Sequence, residues 1–149
     1  MTLLARVGAH AGALRALSIL LGVFLVFMGL DKIDWLTDAG PLTQLLQEWR
    51  GTARPLARWY LDTFALGGAP VFARLVPMAE LSAGAALILG VRVRLAATLV
   101  LLMVINFHIA SDVMFRYDYL INAYGLPVLG GLLALAIGGT RLPFSVSGR

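Results

Sequence analysis

The chain has 149 residues, of which 60% are hydrophobic and 13% charged, with a formal net charge of +4 and no cysteine. Soluble domains hold about 25% charged residues, so this composition excludes an ordinary water-soluble fold. The missing cysteines exclude disulfide scaffolds, thiolate metal centres and dithiol membrane oxidoreductases. The two histidines, His10 and His108, fall near opposite membrane faces and exclude a bis-histidine haem; no metal centre is expected. The basic balance comes from arginines flanking apolar segments, which gives no reason to invoke nucleic acid.

The first apolar span is read over residues 14–32, with Arg6 and Arg15 near its start. It ends in Met28-Gly29-Leu30-Asp31-Lys32, which is not a small-residue cleavage site, so the span stays uncleaved. Residues 33–73 form the long polar segment, in which two short amphipathic interfacial helices are predicted. The first starts at Pro41 and places Leu42, Leu45, Leu46 and Trp49 on one face. The second starts at Pro55 and places Leu56, Trp59, Tyr60 and Phe64 on one face, and Leu66-Gly67-Gly68-Ala69-Pro70 is expected to break it. Trp35, Trp49 and Trp59 all lie in this segment, as interfacial anchors or as a lid over a site. Further spans are read at 74–90, 93–112 and 120–138. Small residues at Gly22 and Gly29, Ala79 and Ala83, and Gly130, Ala134 and Gly138 allow close helix approach. Pro77 and Pro127 are expected to kink the second and fourth spans and widen the outer end.

Lipid offers backbone groups no partners, so the spans are helices. The expected fold is all-α: one domain, an integral membrane four-helix bundle with two interfacial helices between spans one and two. One face carries Arg6, Arg15, Arg92, Arg94, Arg141 and Arg149 with no acid; the other spreads six cations among seven acids. The positive-inside rule then puts both termini in the cytoplasm.

Ionisable groups at membrane depth are expensive to bury and are functional-site candidates by default. Glu80 falls ~9 Å below the outer edge and His108 ~8 Å below it, at 1.5 Å rise per residue through a ~30 Å core. One polar cluster is therefore expected in the outer half: Asp31, Lys32, Glu80, Asn106, His108, Asp112, Asn122 and Tyr124. Glu80, His108 and Asp112 are the candidates for proton chemistry. His108, Asn106, Tyr124, Asn122, Lys32 and Asp31 are the candidates for holding a ligand. Glu80 has no cation within a turn of its own helix and needs Lys32 or His108 as partner. Structural alternatives stand beside these roles. Asp31 and Lys32 can end a helix at the headgroups, Asn122 and Tyr124 can be interfacial anchors, and Glu80 with His108 can fix helix register. The inner half of every span reads as nearly featureless.

The ending Phe27-Met28-Gly29-Leu30-Asp31-Lys32 resembles the "G-x-x-K" close of the first helix in DoxX/DoxD-like proteins. Met78-Ala79-Glu80-Leu81-Ser82-Ala83-Gly84, then Leu89-Gly90-Val91-Arg92-Val93-Arg94-Leu95-Ala96, resembles their second helix and its "G-x-x-x-R-x-A" connection. The likeness runs from about Leu14 to Ala110. It implies a four-helix protein of the bacterial cytoplasmic membrane, commonly a membrane subunit or partner in a redox system.

The leading expectation is a redox-associated membrane protein that binds a quinone or similar amphipathic ligand in the outer-half cluster, with electrons arriving from a partner subunit. A greasy bundle with a few convergent polar groups is the usual character of a small-molecule site. The alternative is a non-enzymatic scaffold or assembly factor that docks a partner through the tryptophan-bearing segment. The expected partners are membrane lipid, a redox subunit and a second copy of the chain.

Overall fold

The computed structural model describes residues 3–114, 116–122, 124–140 and 142–146, with side chains from residue 8 onward. Arg141, Arg149 and the Arg6 side chain, which entered the orientation argument, lie outside what is described. Every regular element among the described residues is helical. Helix α1 (Leu3–Asp31) is followed by a 3-10 turn at Ile33–Leu36 and by the interfacial helix α2 (Gly40–Thr52), which has proline in its first turn.

The break expected at 66–70 does not occur. Helix α3 (Pro55–Tyr60), a π-helical turn (Leu61–Ala65) and α4 (Leu66–Leu89) run as one apolar rod of 35 residues. Ala57, Leu61, Ala65, Ala69 and Ala73 recur every four residues and are all buried, against Leu42 and Leu46 of α2 and against Ala110. That continuous buried row outweighs the roughly 1 kcal/mol that each glycine costs a helix interior and the roughly 3 kcal/mol that Pro70 costs it. The large side chains Leu56, Trp59 and Phe64 lie exposed on the other face of the rod, where lipid or headgroups would meet them.

Helix α5 (Val93–Ala110) returns, a short α6 (Tyr117–Leu120) follows, and α7 (Leu126–Gly138) closes the fold. By length and composition, three helical stretches among the described residues can cross a membrane: Gly8–Asp31, Pro55–Leu89 and Val93–Ala110. The fourth expected span is shorter than its bounds of 120–138. Helix α7 has 13 residues, about 20 Å at 1.5 Å rise per residue, short of the ~30 Å hydrocarbon core. Residues 120–122, 124 and 125, counted in that span, are instead a short helix end and turns, and Pro127 sits in the first turn of α7 rather than kinking it. A first-turn proline removes no intrahelical bond, because the N–H it lacks has no partner there anyway.

The layers are α1 on α4 and α5 on α7, with α7 also against α1. Gly22 and Gly84 make the tightest crossing: a Cβ on either would lie 2.8 Å from the other's carbonyl oxygen. Gly138 and Gly131 meet Leu14 and Leu21 of α1, whereas Gly130 faces open space. Leu25, Leu87, Val100, Leu132 and Leu135 form the centre of the bundle core.

The inner half is not featureless. Arg15 is buried, and its guanidinium donates to the carbonyls of Leu87 (2.9 Å), Ile88 (2.6 Å) and Phe144 (3.2 Å). Ser18 adds a hydrogen bond to Leu87 at 2.7 Å. Arg15 thus caps the carbonyl end of α4, where a cation is favoured, and ties down the residues after α7. Gly90 closes α4 in the left-handed conformation (φ 74°). Arg94 of the connection donates to the Ala136 carbonyl of α7 at 3.0 Å. We expect Arg15→Met to lower unfolding stability by about 2 kcal/mol, because acceptors shielded from water lose their donor. Thermal unfolding of the detergent-solubilised protein checks this; an unchanged midpoint would mean that water replaces the guanidinium.

Candidate functional site

The outer end is organised by one close helix approach. Gly29 of α1 has no side chain to hold α4 away: a Cβ there would lie 2.8 Å from Leu81 Cγ and 3.2 Å from Glu80 Cβ. One turn further on, Lys32 reaches back over the same face. Its Nζ donates to Glu80 Oε1 at 3.1 Å and Oε2 at 3.0 Å, and to the Met28 carbonyl at 2.9 Å. It also lies 5.9 Å from the Trp35 ring centroid. The spacing of Gly29 and Lys32 therefore has a mechanical reason: the glycine sets the helix separation that the lysine must bridge. The pair is sheltered, with side-chain exposures of 12% and 7%.

Lys32 and Glu80 form one wall of a cavity of about 220 Å³. His108 of α5 lines the same cavity, as do Phe24, Trp35, Trp49, Phe107 and Tyr124. His108 Nδ1 lies 3.3 Å from the hydroxyl of Tyr119, and the two rings meet edge to face at 5.0 Å. Its Nε2 makes no hydrogen bond among the described residues. Tyr124 stacks on Phe24 with centroids 5.8 Å apart. The cavity thus holds an ammonium–carboxylate pair, an imidazole with one nitrogen engaged, and flat aromatic walls. Such a set can hydrogen-bond a polar ring and exchange protons with it.

Other candidates fall elsewhere. Asn106 does not line this cavity; its Oδ1 accepts from the Tyr60 hydroxyl at 2.6 Å in a neighbouring chamber. Asp31 is exposed at the end of α1. Asn122 is exposed too, and its side chain accepts from the Tyr124 backbone N–H at 2.7 Å, a turn-forming contact. Asn122 and Tyr124 precede α7 rather than lying on a span, because the helix starts only at Leu126.

Asp112 is separated from the cluster in which the sequence placed it. It lies beyond the end of α5 in a left-handed backbone conformation (φ 55°). Its carboxylate accepts from the Arg54 backbone N–H (3.0 Å), from Arg54 Nε (2.9 Å) and from Arg116 Nη2 (2.8 Å). Arg54 starts α3, so Asp112 latches the interfacial segment to the end of α5. The Arg54 hydrogen bond, with help from Arg116, holds this carboxyl well below the usual carboxylate range. A depressed folded-state pKa contributes stability that is full above the unfolded value of about 3.9 and fades as pH falls below it. Asp112→Asn keeps a residue type that tolerates positive φ while removing the charge. We therefore expect the variant to loosen the α2–α3 segment at neutral pH and to lack the wild type's loosening below about pH 4. Tryptophan emission and quenching across a pH series read both effects; identical profiles would contradict the latch.

Tyr119 and Phe24 were missed as site residues. Tyr119 lies 11 positions from His108 across a non-helical turn, and no periodicity links residues over such a gap. Arg15 was counted only as a flanking cation.

The DoxX family model matches residues 13–110, well over half of the chain. The chain belongs to the DoxX family, and with its long apolar helices it is a multi-pass membrane protein. The matched region carries Lys32, Glu80 and His108, whereas Tyr119, Tyr124 and α7 lie beyond it. No curated protein and no solved structure matches the chain.

Proposed function

We propose that this protein is the membrane subunit or membrane partner of a redox system, and that it binds a quinone or a ligand of the same amphipathic shape in the outer cavity. The observation that carries this reading is the convergence of the Lys32–Glu80 pair and the His108–Tyr119 pair on one aromatic-walled volume. Burying that much polarity is expensive, and a carbonyl-bearing ring would use it. In the proposed arrangement His108 Nε2 and the Lys32 ammonium hydrogen-bond the ring oxygens, and Trp35, Trp49 and Tyr124 flank its faces. Reducing a quinone to a quinol takes two electrons and two protons. A partner subunit supplies the electrons; the two protons reach the ring oxygens through the Lys32 ammonium and the His108 ring, and each is replaced from the outer side, with Glu80 relaying to Lys32.

The same proposal includes the finer topology: a four-pass bundle in a bacterial cytoplasmic membrane with α7 as the short fourth pass and both termini cytoplasmic. Arg15, Arg92 and Arg94 at one end, against the acid-rich opposite end, support that orientation.

The test is titration of the purified protein in lipid nanodiscs with a short-chain benzoquinone. Saturable thermal stabilisation is expected in the wild type, weakened at least roughly tenfold in Glu80→Gln combined with His108→Ala. A flat titration in a folded wild type would sink the reading. A variant that binds quinone normally would sink the roles given to these two residues.

A further inference from the structure

Beside the polar cavity lies a second chamber of about 350 Å³, between α2, α4 and α5. Trp49, Met103 and Phe107 line both volumes and so form the wall between them. In that wall the Trp49 and Phe107 rings meet at 90° with centroids 6.2 Å apart. The two volumes differ in chemistry. The first has Lys32, Glu80 and His108; the second is hydrocarbon apart from the mutually bonded Tyr60 and Asn106. The second also reaches the lipid-facing surface, since Leu75 and Leu102, both more than half exposed, line it.

Size points the same way. Ligand sites usually occupy about 300–1,000 Å³, and the polar cavity alone falls short of that, whereas the two chambers together fall within it. The dividing Trp49 is half-buried on the interfacial helix α2 rather than on a span.

We propose that the chambers are the two halves of one site, divided by Trp49. The ring of an amphipathic ligand sits beside Lys32, Glu80 and His108, while its aliphatic tail passes between Trp49 and Phe107 into the apolar chamber and leaves toward lipid past Leu75 and Leu102. This rests on the ring-binding reading above and adds to it the tail, its path and the class of ligand that has one. The gain from housing the tail is modest, because lipid is as apolar as the chamber. What the chamber adds is contact with fixed side chains, each worth little and significant only in sum.

Two probes separate the tail from the ring: 2,3-dimethoxy-5-methyl-1,4-benzoquinone and its n-decyl derivative, titrated in nanodiscs of one lipid composition. Leu102→Trp and, independently, Leu75→Trp fill the mouth of the apolar chamber from lipid-facing positions. Each is expected to weaken decyl-quinone binding roughly fivefold while leaving the tail-less quinone unchanged. Comparing variants under one set of conditions cancels the decyl compound's partitioning into lipid, and binding of the tail-less probe certifies the fold. If both probes bind the variants as they bind the wild type, the tail route is overturned and the ring site stands. If both weaken equally, the chamber does not house a tail and the divided site is overturned. If neither binds the wild type, the ring site fails and the tail route fails with it.

Discussion

Lys32→Met is expected to destabilise the protein more than any other single side-chain change at the outer end. Removing one member of a buried ion pair leaves the other charged and unpaired, which typically costs about 3–5 kcal/mol. Here the buried Glu80 would lose both of its Lys32 contacts, with no other cation among the described residues bonded to it. Glu80→Gln should do less harm. Lys32 keeps the Met28 carbonyl at 2.9 Å and the Trp35 ring nearby, and the neutral amide can still accept its hydrogen bond. The double variant Lys32→Met with Glu80→Gln should therefore recover most of what Lys32→Met loses. Unfolding by rising dodecyl sulfate fraction measures all three, and a Lys32→Met loss below about 1 kcal/mol would show that the pair is solvated after all. If the double variant regains stability but not quinone binding, the pair exists for the ligand; if it regains both, the pair only joins two helices.

The second large effect lies in the membrane interior. Gly84→Val should prevent α1 and α4 from closing. A Cβ at Gly84 would lie 2.8 Å from the Gly22 carbonyl oxygen, 2.8 Å from Val26 Cγ2 and 3.0 Å from the Val26 backbone nitrogen. Two of these three neighbours are backbone, so no rotamer change relieves the clash and the helices must separate. Overpacking typically costs about 1–3 kcal/mol even where side chains can adjust, and here the expected loss is about 3 kcal/mol or more. Even Gly84→Ala should lower the melting temperature clearly. Gly130→Ala is the control: nothing lies within 4 Å of its added carbon, and a helix gains roughly 0.5–1 kcal/mol from replacing glycine by alanine. A Gly84→Ala variant that melts with the wild type would mean that the two helices do not cross here. Because Gly29 uses the same close approach to set Lys32 against Glu80, Gly84 variants should also weaken ligand binding from a distance.

Local pattern and tertiary packing contributed differently to what could be read. Three of the four apolar spans, the start of α2 at its proline and the inward placement of Glu80 followed from hydropathy, turn chemistry and the penalty for charge in hydrocarbon. Those are local or one-dimensional properties, so residue order alone carries them. The rod from Pro55 to Leu89 was not legible in that way. Gly67, Gly68 and Pro70 are local signals for a break, and only the burial of Ala57, Leu61, Ala65, Ala69 and Ala73 against α2 and Ala110 overrides them.

The site divides along the same line. Sequence placed Lys32, Glu80 and His108 at similar depth, since depth follows from counting residues along helices. It also placed Asp112 with them, one turn above His108, and there the counting stopped being valid: α5 ends at Ala110, and the left-handed Asp112 turns its carboxylate to Arg54 and Arg116. Tyr119 beside His108, the Arg15 cap at the inner end and the wall of Trp49 and Phe107 between the chambers needed the tertiary structure. Each joins residues from different elements through angles set by helix crossings and non-helical turns, and a linear pattern carries no information about such angles.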